Sequence, residues 1–510
     1  MISLHGKATS LVDRLDPRFI ALMDANEKLA RKDSLLWGPQ AAPEAATRLN
    51  WIGLPTESRH LLPELDALAA KFRHCGRVVL CGMGGSSLAP EVIAATYKRE
   101  LFVLDSTDPH YIAQCLGGDL STTVVVVSSK SGSTIETASQ RSYCEFLFEQ
   151  AKLNATDHMI IVTDPDSPLD QDARSRGFTV MNADPFVGGR FSALTAFGLV
   201  PAALLGIDVS VLLDSADDAL KEFNSPHSPV VEAAYLLAYH AGQYLNFCDQ
   251  SSALPGLSDW IEQLIAESTG KNHTGRLPVV IETLDPTVQD FTITFSGNGD
   301  LVVQADLGAQ FIFWEWVTAL LCFSLGVDPF NQPNVTEAKQ ATAALLTSWS
   351  GTMPALAPHA TQGSVQIFAQ YTTIKDALIH LIDSVSNDGY ISITAYLDRI
   401  ADFQIGQLRA ELSHKSQRPV TFGWGPRFLH STGQFHKGGQ QNGTFLQVTA
   451  SVKKDIAVPD AHFSFHTLIM AQALGDQEAL RKRGFTVVHL HLTDREEGIS
   501  EILAAARSIT

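Results

Sequence analysis

The chain has 510 residues with 37 basic and 55 acidic side chains, which gives a formal net charge of −18. Hydrophobic residues make up 45% of the sequence and charged residues 18%, a composition typical of globular proteins rather than disordered ones. The acidic balance argues against general binding of nucleic acids or anionic membranes, which attract basic surfaces. At about 150 residues per domain, we expect two to four domains.

The cysteines and the N-terminus indicate a cytoplasmic protein. Six cysteines are scattered without a CxxC pair, which predicts reduced thiols rather than disulfides or a zinc site. The first residues, MISLHGKATSLVDRLD, lack the apolar core of a signal peptide. No run of about 18 apolar residues is present, so we expect no membrane span.

The first half of the chain is predicted to begin with helices and to continue as an α/β domain. Residues 1–70 are predicted to be a helical extension, because they carry apolar residues at three-to-four spacing. In residues 71–225, helix-length segments alternate with short apolar runs, among them VVLCG, LFVLD, VVVVSS and HMIIVTD. This alternation is typical of a parallel sheet covered on both faces, with four or five strands between residues 77 and 182.

A second α/β set is predicted in residues 226–345. VEAAYLLAYHAGQYL and FIFWEWVTALLCFSLGV are its apolar helices, and PVVIE, FTITFSG and LVVQAD are three of its strands. Residues 341–366 are rich in Ala, Thr, Pro, Ser and Gly, which predicts an ordered crossing or a linker. Residues 346–510 alternate strands and helices again, and are predicted to complete the second domain.

Two loops at the ends of predicted strands have the composition of a phosphate site. GMGGSSLAP, residues 82–90, places glycines between a strand and a helix, where the backbone can approach a ligand closely. The first seven residues of SSKSGSTIET, residues 128–137, supply five hydroxyls and Lys130, and a helix N-terminus follows. The carboxyl ends of neighbouring parallel strands face one crevice, so the two loops together favour a phosphorylated ligand. The alternatives are a tight turn and a serine-capped helix start.

Two further segments place charged side chains next to apolar helices. GGRFS, residues 188–192, puts Arg190 in a flexible turn, and ESTGK, residues 267–271, puts Glu267 at the end of a helix. A carboxylate in that position can serve as a general base. Each residue also has an ordinary alternative. Arg190 would then form a structural salt bridge, and Glu267 would be an exposed surface glutamate.

The second half adds two polar segments. FNQPNVTEAK, residues 330–339, begins as a turn and starts a helix that carries Lys339. GPRFLHSTGQFHKGG, residues 425–439, packs His430 and His436 into one loop bounded by glycines. No metal site is predicted, since the two histidines of VVHLHL lack a third ligand.

As a group, these motifs resemble the phosphoglucose isomerase family, and most closely the isomerase half of transaldolase–phosphoglucose isomerase fusions. GMGGSSLAP is similar to the family's first glycine loop, SKSGST to the phosphate loop of its sugar-isomerase (SIS) domains, and GGRFS to its arginine motif. ESTGK resembles the segment of the catalytic glutamate, and FNQPNVTEAK that of a glutamine and a lysine. The resemblance covers about residues 75–345 well and 420–485 more loosely. It implies an α/β fold with two SIS-type, doubly wound, flavodoxin-like domains and helical additions.

The resemblance implies a homodimeric aldose–ketose isomerase that interconverts glucose 6-phosphate and fructose 6-phosphate without a metal or redox cofactor. By resemblance, Arg190 matches the arginine that stabilises the enediolate, and Glu267 matches the base that moves a proton between C1 and C2. Gln332 matches a substrate-contacting glutamine, and Lys339 the lysine of the ring-opening step. The loop residues matched to substrate binding are Gly85, Ser86, Ser129, Lys130, Ser131 and Thr134.

One motif departs from the family pattern. Classical members carry TNGQH between the glutamate and lysine motifs, whereas here STGQF, residues 431–435, follows the lysine motif and ends in Phe435. His430 is therefore the predicted ring-opening histidine, and His436 is the alternative.

Three other functions share parts of this pattern. A non-catalytic sugar-phosphate sensor would need the phosphate loop but neither Glu267 nor Lys339, and the chain keeps both. An isomerase that also accepts mannose 6-phosphate differs in how it handles C2, which the sequence leaves open. A dinucleotide oxidoreductase is disfavoured, because the glycine loop lacks the full GxGxxG fingerprint.

Overall fold

The computed structural model describes residues 1–250, 252–284, 290–355, 357–368 and 370–509. The chain forms two compact units, which are Met1–Leu104 with Gly118–Gln332, and Asp105–Gly117 with Pro333–Thr510. The segment 105–117 thus belongs to the second unit, although it lies between two strands of the first unit in the sequence.

The first unit contains two five-stranded sheets. Its strands are β1 (Ser3–His5), β2 (Arg77–Cys81), β3 (Phe102–Leu104), β4 (Thr123–Ser128), β5 (Met159–Thr163), β6 (Thr179–Asn182), β7 (Tyr244–Cys248), β8 (Leu277–Val280), β9 (Phe291–Thr294) and β10 (Leu301–Gln304). One sheet has the order β3-β2-β4-β5-β6, and all its neighbouring strands are parallel. The other has the order β1-β10-β9-β7-β8, in which β1 is antiparallel to β10 and the remaining pairs are parallel.

Helices surround these sheets. The helix α6 (Pro109–Cys115) belongs to the second unit. The helices of the first unit are α1 (Pro17–Ala30), α2 (Ala42–Arg48), α3 (Leu54–Glu57), α4 (Leu62–Phe72), α5 (Leu88–Thr96), α7 (Ile135–Gln150), α8 (Pro168–Ser175), α9 (Ala196–Leu204), α10 (Val209–Phe223), α11 (Pro229–Tyr239), α12 (Leu257–Thr269) and α13 (Leu307–Leu325). Within the described ranges, α13 is the one helix long and apolar enough to cross a membrane, and 89% of its apolar 18-residue window is buried inside the protein. It is thus a core helix by its surroundings.

The second unit is built on one six-stranded sheet. Its strands are β11 (Ala360–Gln362), β12 (Val365–Ile367), β13 (Tyr390–Tyr396), β14 (Val420–Trp424), β15 (Gly443–Ala450) and β16 (Val487–Leu492), in the order β11-β12-β16-β15-β13-β14. The last four strands of that order are mutually parallel, and β11 and β12 extend the sheet antiparallel. Besides α6, its helices are α14 (Val335–Trp349), α15 (Ile374–Asp383), α16 (Gln407–Ser416), α17 (Gly433–Gly438), α18 (Phe465–Lys482) and α19 (Arg495–Arg507).

Local chemistry accounts for these elements. The strands β4 and β5 are buried along their whole length and rich in Val and Ile, as expected where helices cover both faces of a parallel sheet. Several helices are capped at the N-terminus by side chains that accept hydrogen bonds from backbone N–H groups of the first turn, such as those of Asp16, Ser167 and Asp208.

The predicted α/β class with doubly wound parallel sheets is confirmed, and five strands lie between residues 77 and 182. The apolar segment VEAAYLLAYHAGQYL, predicted as one helix, instead ends as a helix at Tyr239 and enters strand β7 at Tyr244. Apolar content alone does not separate a buried strand from a buried helix. A short strand, β1, also lies in the predicted helical extension.

The tail of the chain differs from the predicted arrangement. Strands between residues 360 and 492 pair among themselves, so the described part of residues 346–510 forms its own sheet instead of adding strands to the second one. The Ala/Thr-rich stretch 341–366 contains the end of α14 and the hairpin of β11 and β12. Leu356 of that stretch lies outside the described residues.

Helix α13 carries a buried carboxyl group that makes stability depend on pH. Glu315 is 1% exposed, and its two carboxyl oxygens have no hydrogen-bond partner in the described structure. Burial raises the pKa of Glu315 well above its ordinary value, so the folded protein holds this group protonated. The unfolded chain releases that proton above about pH 4.3. Rising pH therefore favours unfolding, by about 1.4 kcal/mol per pH unit until the folded pKa is reached.

We expect Glu315→Gln to remove this part of the pH dependence. Thermal unfolding of the two proteins at pH 5 and pH 8 measures it. The Tm of the variant should increase relative to the Tm of the wild type as pH rises, because only the wild type releases a proton from residue 315 on unfolding. A difference in Tm that stays the same at both pH values would contradict the assignment.

Candidate active site

The centre of the candidate site is an ion pair between Arg190 and Glu267. Arg190 lies in a 3-10 turn, Gly189–Phe191, and Glu267 lies in the last turn of α12. The distance from Nη1 of Arg190 to Oε1 of Glu267 is 2.8 Å, and the two side chains are 5% and 12% exposed. A pair this deeply buried is stable only when further hydrogen bonds complete it.

The guanidinium of Arg190 makes those further bonds. Its Nε donates to Oγ of Ser268 at 2.9 Å, and its Nη1 donates to Oε1 of Gln332 at 3.1 Å. Its Nη2 donates to the carbonyl groups of Pro329 and Asn331. One planar cation thereby holds both α12 and the turn formed by residues 328–332, which a lysine could not do.

The carboxylate of Glu267 is held through both oxygens. One contacts Arg190, and the other accepts from Nε2 of Gln263 at 3.1 Å, one turn earlier on α12. The site thus places a proton acceptor with a fixed orientation directly beside a permanent positive charge. That combination suits removal of a proton from a carbon next to a carbonyl, because the cation can stabilise the resulting oxyanion.

Lys271 belongs to this neighbourhood and was missed by the sequence analysis. Its side chain is 2% exposed, and its ammonium group donates to the carbonyl of Asp328. Burial, reinforced by the positive charge of Arg190, lowers the pKa of Lys271 to about 7. The signal that could have found it is its place four residues after Glu267, in the same ESTGK motif.

The first glycine loop packs directly on the arginine turn. Gly84–Ser86 form a 3-10 turn, and Gly85 is buried while Ser86 is partly exposed. A Cβ atom on Gly85 would lie 2.0 Å from the carbonyl oxygen of Gly189 and 3.0 Å from the backbone nitrogen of Arg190. Residue 85 must therefore be glycine for the two turns to approach this closely.

The predicted phosphate loop connects β4 to α7 and presents hydroxyl groups. Ser131 and Ser133 are exposed, with their Oγ atoms 2.7 Å apart, and Oγ of Ser129 accepts from the backbone N–H of Gly132 at 3.1 Å. Thr134 stands at the N-cap of α7, yet its side chain makes no capping bond. The predicted alternative, a helix start capped by its own hydroxyl, does not describe this N-cap.

Lys130 of the phosphate loop is bonded to the protein itself. Its Nζ lies 2.9 Å from Oδ2 of Asp164 and donates to the carbonyl groups of Pro185 and Val187 at 3.1 and 2.9 Å. An ammonium group has three donors, and here each has an acceptor. Lys130 thus joins the phosphate loop to the segment that leads to Arg190.

Lys339 and His430 lie in the second unit. Lys339 is exposed on α14, and His430 ends a 3-10 turn, Arg427–His430. A reciprocal pair of bonds joins the two segments. Oε1 of Gln434 accepts from the backbone N–H of Asn334 at 2.9 Å, and Nε2 of Gln434 donates to Oδ1 of Asn334 at 2.9 Å. The start of α14 and the loop of His430 are therefore neighbours within this unit.

His436, the alternative to His430, is a core residue. Its side chain is 2% exposed and lies within hydrogen-bond distance of the Tyr390 hydroxyl (2.9 Å) and of Oγ of Ser392 (3.3 Å). Burial lowers the pKa of His436 to about 3, so it stays neutral at physiological pH. Phe435 is fully buried against Tyr390.

The two histidines of VVHLHL are bonded within the sheet. Oγ1 of Thr449 lies 2.7 Å from Nε2 of His489 and 2.8 Å from Nδ1 of His491. The second nitrogen of His491 lies 3.0 Å from Oγ of Ser451. Their ring nitrogens thus serve a hydrogen-bond chain.

In the described part of the chain, one group of three side chains has the spacing of metal ligands: Asp108, His110 and Asp398. Asp108 forms a 2.5 Å ion pair with Arg495, and His110 contacts Asp398 at 2.5 Å. The other oxygen of Asp398 accepts backbone N–H groups of Ile400 and Ala401. These atoms therefore take part in a charge network inside the second unit, and we assign the group no metal.

Known proteins are similar to about half of the chain. The family model described as phosphoglucose isomerase matches residues 66–283. The chain is 36% identical over 302 residues to a glucose-6-phosphate isomerase of Thermosynechococcus vestitus, covering 53% of this chain and 57% of that protein. It is 31% identical over 278 residues to a glucose-6-phosphate isomerase of Synechococcus sp. (strain JA-3-3Ab), covering 49% of this chain and 51% of that protein.

Among solved structures, a glucose-6-phosphate isomerase from Chlamydia trachomatis has a similar fold. The TM-score is 0.55 at 19% identity, covering 68% of this chain and 89% of that one. The chain spans only about half the length of the curated relatives it matches. The similarity to phosphoglucose isomerases is concentrated in residues 66–283, the segment that holds both Arg190 and Glu267.

Proposed function

We propose that the protein is an aldose–ketose isomerase that interconverts glucose 6-phosphate and fructose 6-phosphate. The observation that carries the proposal is the buried pair of Glu267 and Arg190. It joins a base to a cation within the segment that matches the phosphoglucose isomerase model. A sugar-phosphate sensor does not require a proton acceptor fixed beside a cation, whereas an isomerase does.

The reaction follows from this arrangement. The Glu267 carboxylate removes the C2 proton of open-chain glucose 6-phosphate, and the electrons of that bond form a C1–C2 double bond. The carbonyl oxygen at C1 then carries the negative charge of an enediolate, which Arg190 stabilises. Glu267 returns the proton to C1 while the C2 hydroxyl proton passes to the C1 oxygen, which yields fructose 6-phosphate. Gln332, bonded to Arg190, contacts the substrate beside the reacting carbons.

The loops at the ends of β2 and β4 bind the phosphate in this proposal. Gly85 and Ser86 approach through the backbone, while Ser129, Ser131 and Thr134 supply hydroxyl groups and α7 supplies N–H groups. Lys130 holds the loop in place through its bonds to Asp164 and to backbone carbonyls, and adds positive charge nearby. Binding energy from this remote group orients the sugar for proton transfer.

We expect Ser131→Ala and Thr134→Ala each to raise KM for hexose phosphates by about ten- to a hundredfold. Each removes one hydrogen bond to a charged acceptor, worth about 1.5–3 kcal/mol. Inhibition by inorganic phosphate in the wild type and in both variants measures the effect. Ser175→Ala, on an exposed serine of α8, is the matched control. Equal inhibition of all four proteins would show that phosphate binds elsewhere.

Ring opening falls to His430 with Lys339 in this proposal. His436 is buried and neutral, with both ring nitrogens next to hydroxyl groups, which favours His430. We expect His430→Ala to lower turnover of glucose 6-phosphate by about 10²-fold. It should affect a four-carbon aldose phosphate much less, since that substrate cannot form the six-membered ring. Selective loss of glucose 6-phosphate turnover in His436→Ala instead would reverse the assignment.

The test of the function is a coupled assay for glucose 6-phosphate formed from fructose 6-phosphate. We expect turnover without added metal or nicotinamide cofactor in the isomerisation step. Binding of hexose phosphate without turnover would identify a sensor instead. Parallel incubation with mannose 6-phosphate tests whether the site accepts the C2 epimer.

Three further features of the proposal rest on the sequence. A cytoplasmic location fits the six scattered cysteines, which include no CxxC pair. The homodimer and the closer relation to transaldolase–phosphoglucose isomerase fusions follow from the motif resemblance. Sedimentation of the purified chain tests the dimer directly.

A further inference from the structure

Lys271 is a buried cation of the site that the proposed reaction does not use. Its ammonium group donates to the carbonyl of Asp328, and Arg190 donates to the carbonyls of Pro329 and Asn331. Two cations from different segments thus hold three carbonyl groups of the 328–332 turn. Cations on backbone carbonyls form stronger hydrogen bonds than neutral donors do.

The same turn ends at Gln332, whose side-chain oxygen contacts Arg190. Its start is closed by Oδ1 of Asp328, which accepts the backbone N–H groups of Phe330 and Asn331. Among the described residues, the Lys271 ammonium ties the start of this turn to the segment that follows α12, the helix of Glu267. Movement of the turn would displace the side chain of Gln332 together with the carbonyl groups of Pro329 and Asn331, to which the Arg190 guanidinium donates.

We propose that Lys271 is a positioning residue, which fixes the 328–332 turn so that Gln332 and Arg190 keep their geometry around Glu267. The inference rests on the proposed isomerase function for its kinetic consequences. Lys271 acts through the turn and through Arg190, and it needs no contact with the sugar. Nothing in the ring-opening or phosphate-binding steps requires it.

The charge of Lys271 depends on pH in the physiological range. The ionisable groups that act on it most strongly are Arg190 in the arginine turn, Cys322 on α13, Asp328 in the 328–332 turn and Glu267 on α12. Burial is the largest influence and lowers the pKa of Lys271 to about 7, and Arg190 acts in the same direction. The ammonium is therefore charged below neutral pH and loses its proton above it. The hold on the turn weakens as pH rises, so kcat should decline on the alkaline side.

The experiment compares Lys271→Met, Lys271→Arg and Lys221→Met in the full chain, with kcat and KM for fructose 6-phosphate measured from pH 6 to pH 9. Methionine keeps most of the length of the side chain and removes a buried charge, so the variant should fold. We expect it to lose about 10²-fold in kcat at pH 6.5, with a smaller change in KM, and to lack the ionisation near pH 7. Lys221→Met, on an exposed lysine of α10, should match the wild type.

Lys271→Arg keeps the charge at every pH used. It should recover much of the wild-type kcat and carry no decline near pH 7. If Lys271→Met does not fold, Lys271→Arg alone decides the test. A decline of kcat near pH 7 that persists in Lys271→Arg overturns the proposal. Wild-type kcat and an unchanged pH profile in Lys271→Met overturn it as well.

Hydrogen exchange separates this inference from the proposed function. The amides of Phe330 and Asn331 should exchange faster in Lys271→Met than in the wild type and Lys221→Met, whether or not the protein isomerises sugars. Unchanged exchange shows that Lys271 does not hold the turn. Faster exchange in Lys271→Met, together with a wild type that shows no isomerase activity, would instead refute the proposed function and leave the positioning role standing.

Discussion

Replacing Glu267 with glutamine is expected to lower kcat by about 10²–10⁴-fold and to leave KM nearly unchanged. The amide keeps the size of the carboxylate and its neighbours Gln263 and Arg190, but it cannot accept a proton. The loss should therefore appear in the chemical step and not in binding. The coupled assay with fructose 6-phosphate over a range of concentrations gives both constants.

The matched control is Glu64→Gln, which makes the same change on an exposed residue of α4. It should keep the wild-type kcat. Removing a buried charge also affects stability, so thermal unfolding of both variants must show that they are folded. A folded Glu267→Gln variant with nearly normal kcat would mean that another group moves the proton.

Replacing Arg190 with lysine is expected to lower kcat by about 10²–10³-fold. Lysine keeps the positive charge but has no planar fork. It therefore cannot hold Glu267, Ser268, Gln332 and the 328–332 turn together. The cation would no longer be fixed where the enediolate charge develops. Steady-state kinetics in both directions of the isomerisation measure the effect.

Arg59→Lys provides the control for this substitution, because Arg59 forms an exposed ion pair with Asp214 and has no part in the proposed chemistry. It should change neither kcat nor KM by more than twofold, as expected for a surface charge. If Arg190→Lys behaves like Arg59→Lys, the guanidinium geometry does not matter for the reaction. The oxyanion would then need another stabilising group.

Much of the first sheet could be predicted from the sequence. The strands β2, β4 and β5 are mostly continuous apolar runs, and β2 and β4 end in glycine or serine loops. This pattern is local. The strand β7 could not be predicted in the same way, because Tyr244–Cys248 follows an apolar helix after only four residues. Which sheet a strand joins depends on long-range pairing, so the separate sheet of the second unit was not predictable either.

The same limit applies to the site. Glu267, Arg190 and Gln332 were candidates because each lies in a motif, and the structure brings these three side chains together. The roles of Lys130 and Lys271 depend on backbone carbonyls far along the chain, at Val187 and Asp328. A carbonyl acceptor exists at every residue and leaves no sequence pattern. Only the folded structure shows which lysine donates to a backbone carbonyl group.

The central claim is that a proton passes between C1 and C2 of a hexose phosphate. Its most direct test is to incubate the full chain with fructose 6-phosphate in heavy water and to follow the sugar by proton NMR. The account predicts that glucose 6-phosphate forms and carries deuterium at C2 in part of the molecules, because Glu267 exchanges its proton with solvent during turnover. A spectrum in which fructose 6-phosphate persists unchanged would contradict the account.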